Sequence, residues 1–260
     1  MLKKMVLGLP LIFAALSLSV AAKDMTDLKF GVDPTYPPFE SKAADGKLVG
    51  FEIDLGNEIC RRLQVKCVWV ETPFDSIIPA LQGRKFDAIL SALSITPQRE
   101  TQVSFSTALF DTPSSLLGKA GSPIVPTIAS LKGRNVGVAQ GSTQEAYAKA
   151  YWAPAGINVV SYADQQQVVN DLLAGRIDVT LTDMIAGSEG FLKTPKGAGY
   201  AFLGQPINDP KYLGKGAAIG LRKDDAALRD RINAAIDAMI RDGTYTRIEQ
   251  RYFTFDVLKG

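Results

Sequence analysis

The sequence predicts an α/β protein of two similar lobes, each a mostly parallel sheet flanked by helices. Three observations carry that expectation. Short apolar strands alternate with amphipathic helical stretches, the same five-element unit occurs twice about a hundred residues apart, and two segments are placed to cross between the copies. Ahead of both units, Lys3 and Lys4 form a basic start and the apolar run Val6 to Val20 ends in Ala21-Ala22, which reads as a secretory signal peptide over residues 1–22. The run is shorter than the ~20 residues that a spanning helix needs. Polar Lys23-Asp24 follow at once, and no Cys lies near the cleavage region to take a lipid. The mature protein is therefore expected to be soluble and to act outside the cytoplasm.

The first unit opens with the strand Leu28 to Val32, broken by Asp33-Pro34. Phe51, Leu55, Ile59 and Leu63 then recur every four residues, which places them on one helix face. Cys67 to Val70 is a second strand, Ser76 to Gln82 a short helix and Phe86 to Leu90 a third strand. The second unit repeats the order: strand Val136 to Ala139, helix Glu145 to Tyr151, strand Asn158 to Val160, helix Val168 to Ala174, strand Ile177 to Leu181. Even the turn chemistry returns, with Leu81-Gln82-Gly83-Arg84 answered by Leu173-Ala174-Gly175-Arg176, each Gly standing where a helix would end at positive φ. Phe110 to Pro113 supplies one crossing, and the loop Pro206 to Lys211 before Ala217 to Leu221 supplies the other, a pair that makes a natural hinge. Leu228, Ile232, Ile236 and Ile240 mark a helix that stops at Gly243, Tyr245 to Phe253 reads as another, and both should return to the first lobe. The expected division is residues 23–111 for the first lobe, 112–212 for the second, and 213–260 for the C-terminal part of the first.

Composition removes several function classes. The chain carries 29 basic and 27 acidic residues, and loss of Lys3 and Lys4 with the signal leaves the two signs equal, so there is no electrostatic case for binding nucleic acid. It has no histidine, which removes the Ser-His-Asp triad, the commonest general base and the commonest metal ligand together. Carboxylates, Tyr and Lys leave other catalytic chemistry open, but no metal and no cofactor are expected. Cys60 and Cys67, with six residues between them, match neither a redox Cys-x-x-Cys nor a zinc pair. In an oxidising compartment such a pair more often forms a structural disulfide, with two free buried thiols as the alternative.

Ligands of open parallel sheets bind beyond the carboxyl ends of the strands. In the first lobe that rule selects Asp33 and Tyr36 after strand one, Phe74 after strand two, and Ser91, Ala92 and Ser94 after strand three. In the second it selects Gly141, Ser142, Thr143 and Gln144 after strand one and Asp183 after strand three. Thr96 reads as a helix cap with Pro97 at the first position, which would hold Arg99 in the first turn. A guanidinium there can grip a carboxylate through two parallel hydrogen bonds, and the free amides of the helix behind Gly141-Ser142-Thr143 add donors for the same anion. Asp183 can accept from an ammonium group. Each residue alone has a plainer explanation: a solvated Arg, a capping Ser, a turn Asp, core aromatics at Tyr36 and Phe74. Their joint appearance at strand ends points to a site for a zwitterion.

Asp33-Pro34-Thr35-Tyr36-Pro37-Pro38-Phe39, Gly50-Phe51-Glu52-Ile53-Asp54-Leu55, Ser94-Ile95-Thr96-Pro97-Gln98-Arg99 and Gln140-Gly141-Ser142-Thr143-Gln144-Glu145 together resemble the polar amino-acid periplasmic binding proteins of ABC importers. The resemblance runs from about Leu28 to Lys259. The Cys60 and Cys67 pair, Ser188 to Lys193 and Gly220 to Asp225 bring it nearest the lysine/arginine/ornithine and histidine binders. It implies the type II periplasmic binding protein fold with a two-strand hinge. It also implies a periplasmic monomer that closes on a cationic L-amino acid and delivers it to an inner-membrane ABC permease. The roles it implies are Arg99 and Thr143 on the α-carboxylate, with Ser142 beside them, Asp183 and Ser94 on the α-ammonium, and Tyr36 and Phe74 around the aliphatic stem. Asp33 would face the side-chain cation with Ser91 and Gln144 nearby, and Cys60 would be bonded to Cys67. Two departures bear on specificity. Ala92 stands where those relatives carry Ser, which removes one side-chain hydrogen bond and leaves a backbone amide to serve, and Glu52 stands where they carry Asp, one methylene longer near the ligand's cationic end. The same scaffold also serves opine (octopine/nopaline) receptors and a periplasmic cyclohexadienyl dehydratase, whose chemistry would need a carboxylate acid or base such as Asp33, Glu52 or Asp183.

Overall fold

The structure is a computed structural model that describes residues 25–258. The signal peptide expected over residues 1–22 lies outside the described residues. The repeated unit becomes two five-stranded sheets of the same order. In the first the strands run Lys66–Glu71, Asp27–Val32, Ala88–Ile89, Gly220–Leu221, Ser104–Phe105. In the second they run Asn158–Tyr162, Asn135–Ala139, Val179–Asp183, Ser114–Lys119, Tyr200–Ile207. Three neighbouring strands of each sheet are parallel, as alternating helices demand, and the remaining two are joined through antiparallel pairs, so that only the fourth strand runs against the rest. A strand that arrives from the other lobe has no crossover helix behind it and so enters against the direction of its host.

The crossings meet. Phe110 and Ala217 form an antiparallel bridge, with the Ala217 amide donating to the Phe110 carbonyl at 2.8 Å. The Phe110 ring stacks on Phe39 at 4.3 Å, and Asp111 donates its amide to the Val257 carbonyl at 3.0 Å. The hinge is thereby fastened to the C-terminal segment, which lies on the first lobe. Helix Ala226–Arg241 and helix Thr244–Glu249 share one core with helix Phe51–Leu63, built from Phe51, Leu55 and Ile59 against Leu228, Ile232 and Ile236. The predicted fourth member of that stripe, Ile240, is exposed, and Met239 is buried in its place. A spacing of four residues advances ~40° per step on a helix of 3.6 residues per turn, so the third step leaves the buried face.

Two turn expectations differ from the structure. Both short helices close with the same two bonds, Arg84 N to Leu81 O and Lys85 N to Ala80 O in the first unit, Gly175 N to Leu172 O and Arg176 N to Asp171 O in the second. The closure falls one residue later in the first unit. Arg84 therefore takes the left-handed conformation at φ 57 while Gly83 stays at φ −74, and only Gly175, at φ 70, carries the predicted positive φ. The third strand of the first lobe also pairs over Ala88–Ile89 alone rather than Phe86 to Leu90.

Cys60, near the end of helix Phe51–Leu63, is bonded to Cys67 in the edge strand, with Cα atoms 5.6 Å apart. The bond ties the helix to the sheet edge, across a short loop. Replacing both cysteines with serine should lower the unfolding free energy by ~2–3 kcal/mol in a urea titration, the closure entropy of so short a loop.

Candidate functional site

The carboxyl ends of the parallel strands of both sheets converge on one buried cavity between the lobes. Asp33, Tyr36, Phe74, Ser91, Ala92, Ser94 and Arg99 line it from the first lobe, and Ser142, Thr143, Gln144 and Asp183 line it from the second. Glu52 does not. It is fully buried behind the cavity wall, where its Oε2 accepts the Ala92 amide at 2.6 Å. The Ala92 amide, expected to be free for a ligand, is occupied by that bond.

Arg99 is placed by its helix cap. The Thr96 hydroxyl accepts the Arg99 amide at 3.2 Å, Pro97 occupies the first position of helix Pro97–Glu100, and the side chain turns inward to 8% exposure. Its Nη1 donates to the Ser94 carbonyl and its Nη2 to the Gly141 carbonyl, both at 3.0 Å, so the guanidinium joins the two lobes. The Phe74 ring lies 5.4 Å from its Cζ. Among the described residues, no carboxylate pairs with it. Burial pushes its pKa down to about 10, and no acidic side chain opposes the shift. A desolvated cation without an anion is costly, and the donors left over are aimed at whatever anion enters.

The opposite charge is equally exposed to desolvation. Asp183 ends its strand and caps the next helix, with Oδ1 accepting the Ala186 amide at 3.0 Å and the Thr112 hydroxyl at 3.1 Å. Burial pushes its carboxyl up to about 7, and no cation relieves it. Asp33 accepts the Phe74 amide on Oδ2 at 3.0 Å, and burial raises its pKa too. Among the described residues, the cavity thus has a buried guanidinium at Arg99 with no carboxylate partner and buried carboxyls at Asp183 and Asp33 with no cationic partner.

Several neighbouring side chains are already engaged. Ser142 caps helix Thr143–Tyr151 by accepting the Glu145 amide and donates to the Ala139 carbonyl. Glu145 reaches back to the Gly141 amide at 2.8 Å, a capping box that holds the turn below Arg99. Gln144 donates to Ser114 and accepts from Thr143. Burial, and then the neighbouring Asp183 carboxylate, hold the Tyr36 hydroxyl well above the usual tyrosine range, against hydrogen bonds to the Thr182 side chain and the Asp183 backbone that act to lower it.

Asp164, Thr112 and Glu40 are among the lining residues that sequence reasoning passed over. Asp164 stands beyond the strand Asn158–Tyr162 and caps helix Gln165–Leu173, a position the strand-end rule would have reached had that strand not been ended at Val160. Thr112 and Glu40 have no local signal, because the partners that give them a role, Asp183 and Ser91, are distant along the chain.

The lobes meet closely. A Cβ at Gly141 would lie 2.7 Å from the Asp75 Cα, and one at Gly190 would lie 2.2 Å from the Pro37 carbonyl oxygen. Both contacts cross the cleft, so the lobes are closed around the cavity.

Two hinged α/β lobes closed on a buried, charged cavity define a solute-binding receptor. The chain belongs to the bacterial extracellular solute-binding proteins, family 3, which it matches over residues 28–255. It is 50% identical to the lysine/arginine/ornithine-binding periplasmic protein of Escherichia coli (strain K12), over 98% of this chain and 99% of that one. It is 47% identical to the histidine-binding periplasmic protein of Salmonella typhimurium, over the whole of both chains. Among solved structures it resembles an ancestral arginine-binding protein bound to arginine, with a TM-score of 0.82 and 34% identity over 89% of this chain and 100% of that one. These relatives are binding proteins.

Gly190 offers a clean test of closure, because its backbone carries no positive φ and lies in the helical turn Ser188–Leu192. Gly190→Ala should leave the ligand-free protein unchanged in stability or raise it by up to ~1 kcal/mol, the helix gain over glycine. It should weaken ligand binding at least tenfold in calorimetry, since the methyl meets Pro37 only when the lobes close.

Proposed function

We propose that this protein is the periplasmic receptor of an ABC importer, capturing a cationic L-amino acid, of the lysine, arginine, ornithine or histidine class, by lobe closure and passing it to a membrane permease. One observation carries the reading: among the described residues, the closed cavity holds a guanidinium at Arg99 with no carboxylate partner and carboxyls at Asp183 and Asp33 with no cationic partner. That charge pattern is the complement of a ligand with one carboxylate, one ammonium and a second, distal cation. Arg99, with Thr143, would take the α-carboxylate. Asp183 and Ser94 would take the α-ammonium, Tyr36 and Phe74 would flank the stem, and Asp33 with Ser91 would face the distal cation.

Such a ligand favours the closed form, because only then are its charges met from both lobes. A neutral or acidic amino acid would leave Asp33 desolvated without a partner, which sets the preference. The names of the relatives support the same ligand class and a periplasmic site of action. The absence of histidine from the chain, and a cavity whose carboxyls serve charge pairing, favour a receptor over a dehydratase.

The test is a thermal-shift panel on protein unfolded and refolded to strip carried ligand. Arginine, lysine, ornithine, histidine, glutamine, octopine and nopaline are compared, and a ligand at a hundred times its dissociation constant adds ~2.7 kcal/mol of stability. Cationic amino acids should give the large shifts. A larger shift with octopine or nopaline would move the reading to an opine receptor, and turnover of prephenate or arogenate would overturn the receptor-only reading. Asp33→Asn should weaken arginine or lysine by ~1.5–3 kcal/mol, the value of one charged hydrogen bond, and glutamine far less.

The raised pKa of Asp183 gives binding a pH dependence of known sign. Ionising a carboxyl whose pKa is about 7 costs the empty closed protein free energy, and the ligand ammonium restores the charged form. Binding should therefore release up to about one proton near pH 6, and the release should fall away as pH rises through about 7 toward 8. Calorimetry in two buffers of different ionisation enthalpy reads this directly, and Asp183→Asn should remove it.

A further inference from the structure

At the end of the cavity that holds Asp33, Glu40 in the wall and Glu52 behind it form a pair of carboxyls which the charge pattern above does not use. Glu40 and Glu52 are both buried, at 1% and 0% exposure, and hydrogen-bond each other. Each has one oxygen engaged by the cavity wall. Glu40 Oε1 accepts the Ser91 hydroxyl at 3.1 Å, and Glu52 Oε2 accepts the Ala92 amide at 2.6 Å. The other two, Glu40 Oε2 and Glu52 Oε1, meet no other protein donor, which leaves them to a proton shared between the carboxyls. Burial raises both pKa values, Glu52 to about 7 and Glu40 well above the usual carboxylate range, in keeping with one proton held by the pair.

The consequence lies on the ligand side of the wall. Ser91 accepts the Asp33 amide at 2.9 Å and gives its own proton to Glu40, so what its hydroxyl has left is an acceptor. Ala92 sits in the left-handed region at φ 45, a conformation that costs a non-glycine residue of order 1–3 kcal/mol, and its amide is turned away to Glu52. The Phe74 amide is likewise spent, on Asp33. Three donors that border this end of the cavity therefore point elsewhere.

We propose that Glu40 and Glu52 are specificity-determining positioning residues that act through Ser91 and Ala92: by holding the Ser91 proton and the Ala92 amide, they strip this end of the cleft of donors and leave it a wall of acceptors. The proposal rests on the reading of the ligand as a cationic amino acid. A distal ammonium or guanidinium brings only donors and meets acceptors throughout. The carboxamide oxygen of glutamine, or the carboxylate of glutamate, would find no donor and stay unpaired in a desolvated site.

Glu52→Ala would free the Ala92 amide toward the cleft, whereas Glu52→Gln keeps an oxygen for that amide and offers its NH2 to Glu40. Calorimetry with arginine and with glutamine on wild type and both variants tests the assignment. The ratio of arginine to glutamine affinity should fall at least tenfold in Glu52→Ala and stay within threefold of wild type in Glu52→Gln. An unchanged ratio in Glu52→Ala, or an equal fall in Glu52→Gln, overturns it. Glu52→Met, of similar volume and without an acceptor, carries the same expectation if the truncated variant loses its folded circular dichroism spectrum. Infrared spectroscopy is independent of any ligand: in an Asp183→Asn background, which removes that carboxyl's own proton, the protein at neutral pH should show a protonated-carboxyl C=O band that adding Glu40→Gln removes, and absence of the band from Asp183→Asn refutes the shared proton. A wild type with no preference for arginine over glutamine instead overturns the cationic-ligand reading, and the infrared band separates the two failures.

Discussion

A guanidinium held out of water without a counter-ion is the constraint around which the rest of this molecule is arranged. Arg99 satisfies two of its donors on carbonyls, one from each lobe, lays its plane near the Phe74 ring, and among the described residues has no carboxylate paired with it. Desolvation of a charge costs several kcal/mol unless a partner arrives, so the closed state is incomplete until an anion enters. The local sequence serves that placement. Thr96 and Pro97 begin the helix at the residue that turns Arg99 inward, and the capping box of Ser142 and Glu145 fixes the turn whose carbonyl receives it.

The opposite pole obeys the same logic with the sign reversed. Asp183 and Asp33 are each tethered by backbone amides or a hydroxyl, which fix their direction without neutralising them. Carboxyls so held are raised in pKa by burial and gain most from a cation. At the Asp33 end the buried acid pair at Glu40 and Glu52 sets which way the surrounding hydroxyl and amide point. Charge and hydrogen-bond polarity therefore agree along the cleft, donors at the Arg99 end and acceptors at the Asp33 end.

Much of this was legible before any coordinates. The duplicated unit, the crossings and the strand-end rule name many of the residues that line the cavity, because the ligand crevice of an open parallel sheet lies outside the carboxyl ends of its strands. What escaped depended on distance along the chain or on a one-residue offset. Thr112 and Glu40 gain their meaning from Asp183 and Ser91, and no local pattern announces such partners. Glu52 read as a lining residue from its neighbourhood, yet its side chain runs inward because its helix faces the first-lobe core. The turn at Gly83-Arg84 shifted by one residue because equivalent spacing in the two units does not force equivalent closing bonds.

By itself the sequence determined the two-lobed α/β architecture and the chemical types gathered at the strand ends. Periodicity and turn chemistry are local, and local rules carry them. Only the tertiary structure decided which charges would be left without partners, which amides were already spent, and how closely Gly141 and Gly190 let the lobes approach. Those are properties of burial and of contacts between residues far apart in the chain, and desolvation energies come into being only when two surfaces close on each other.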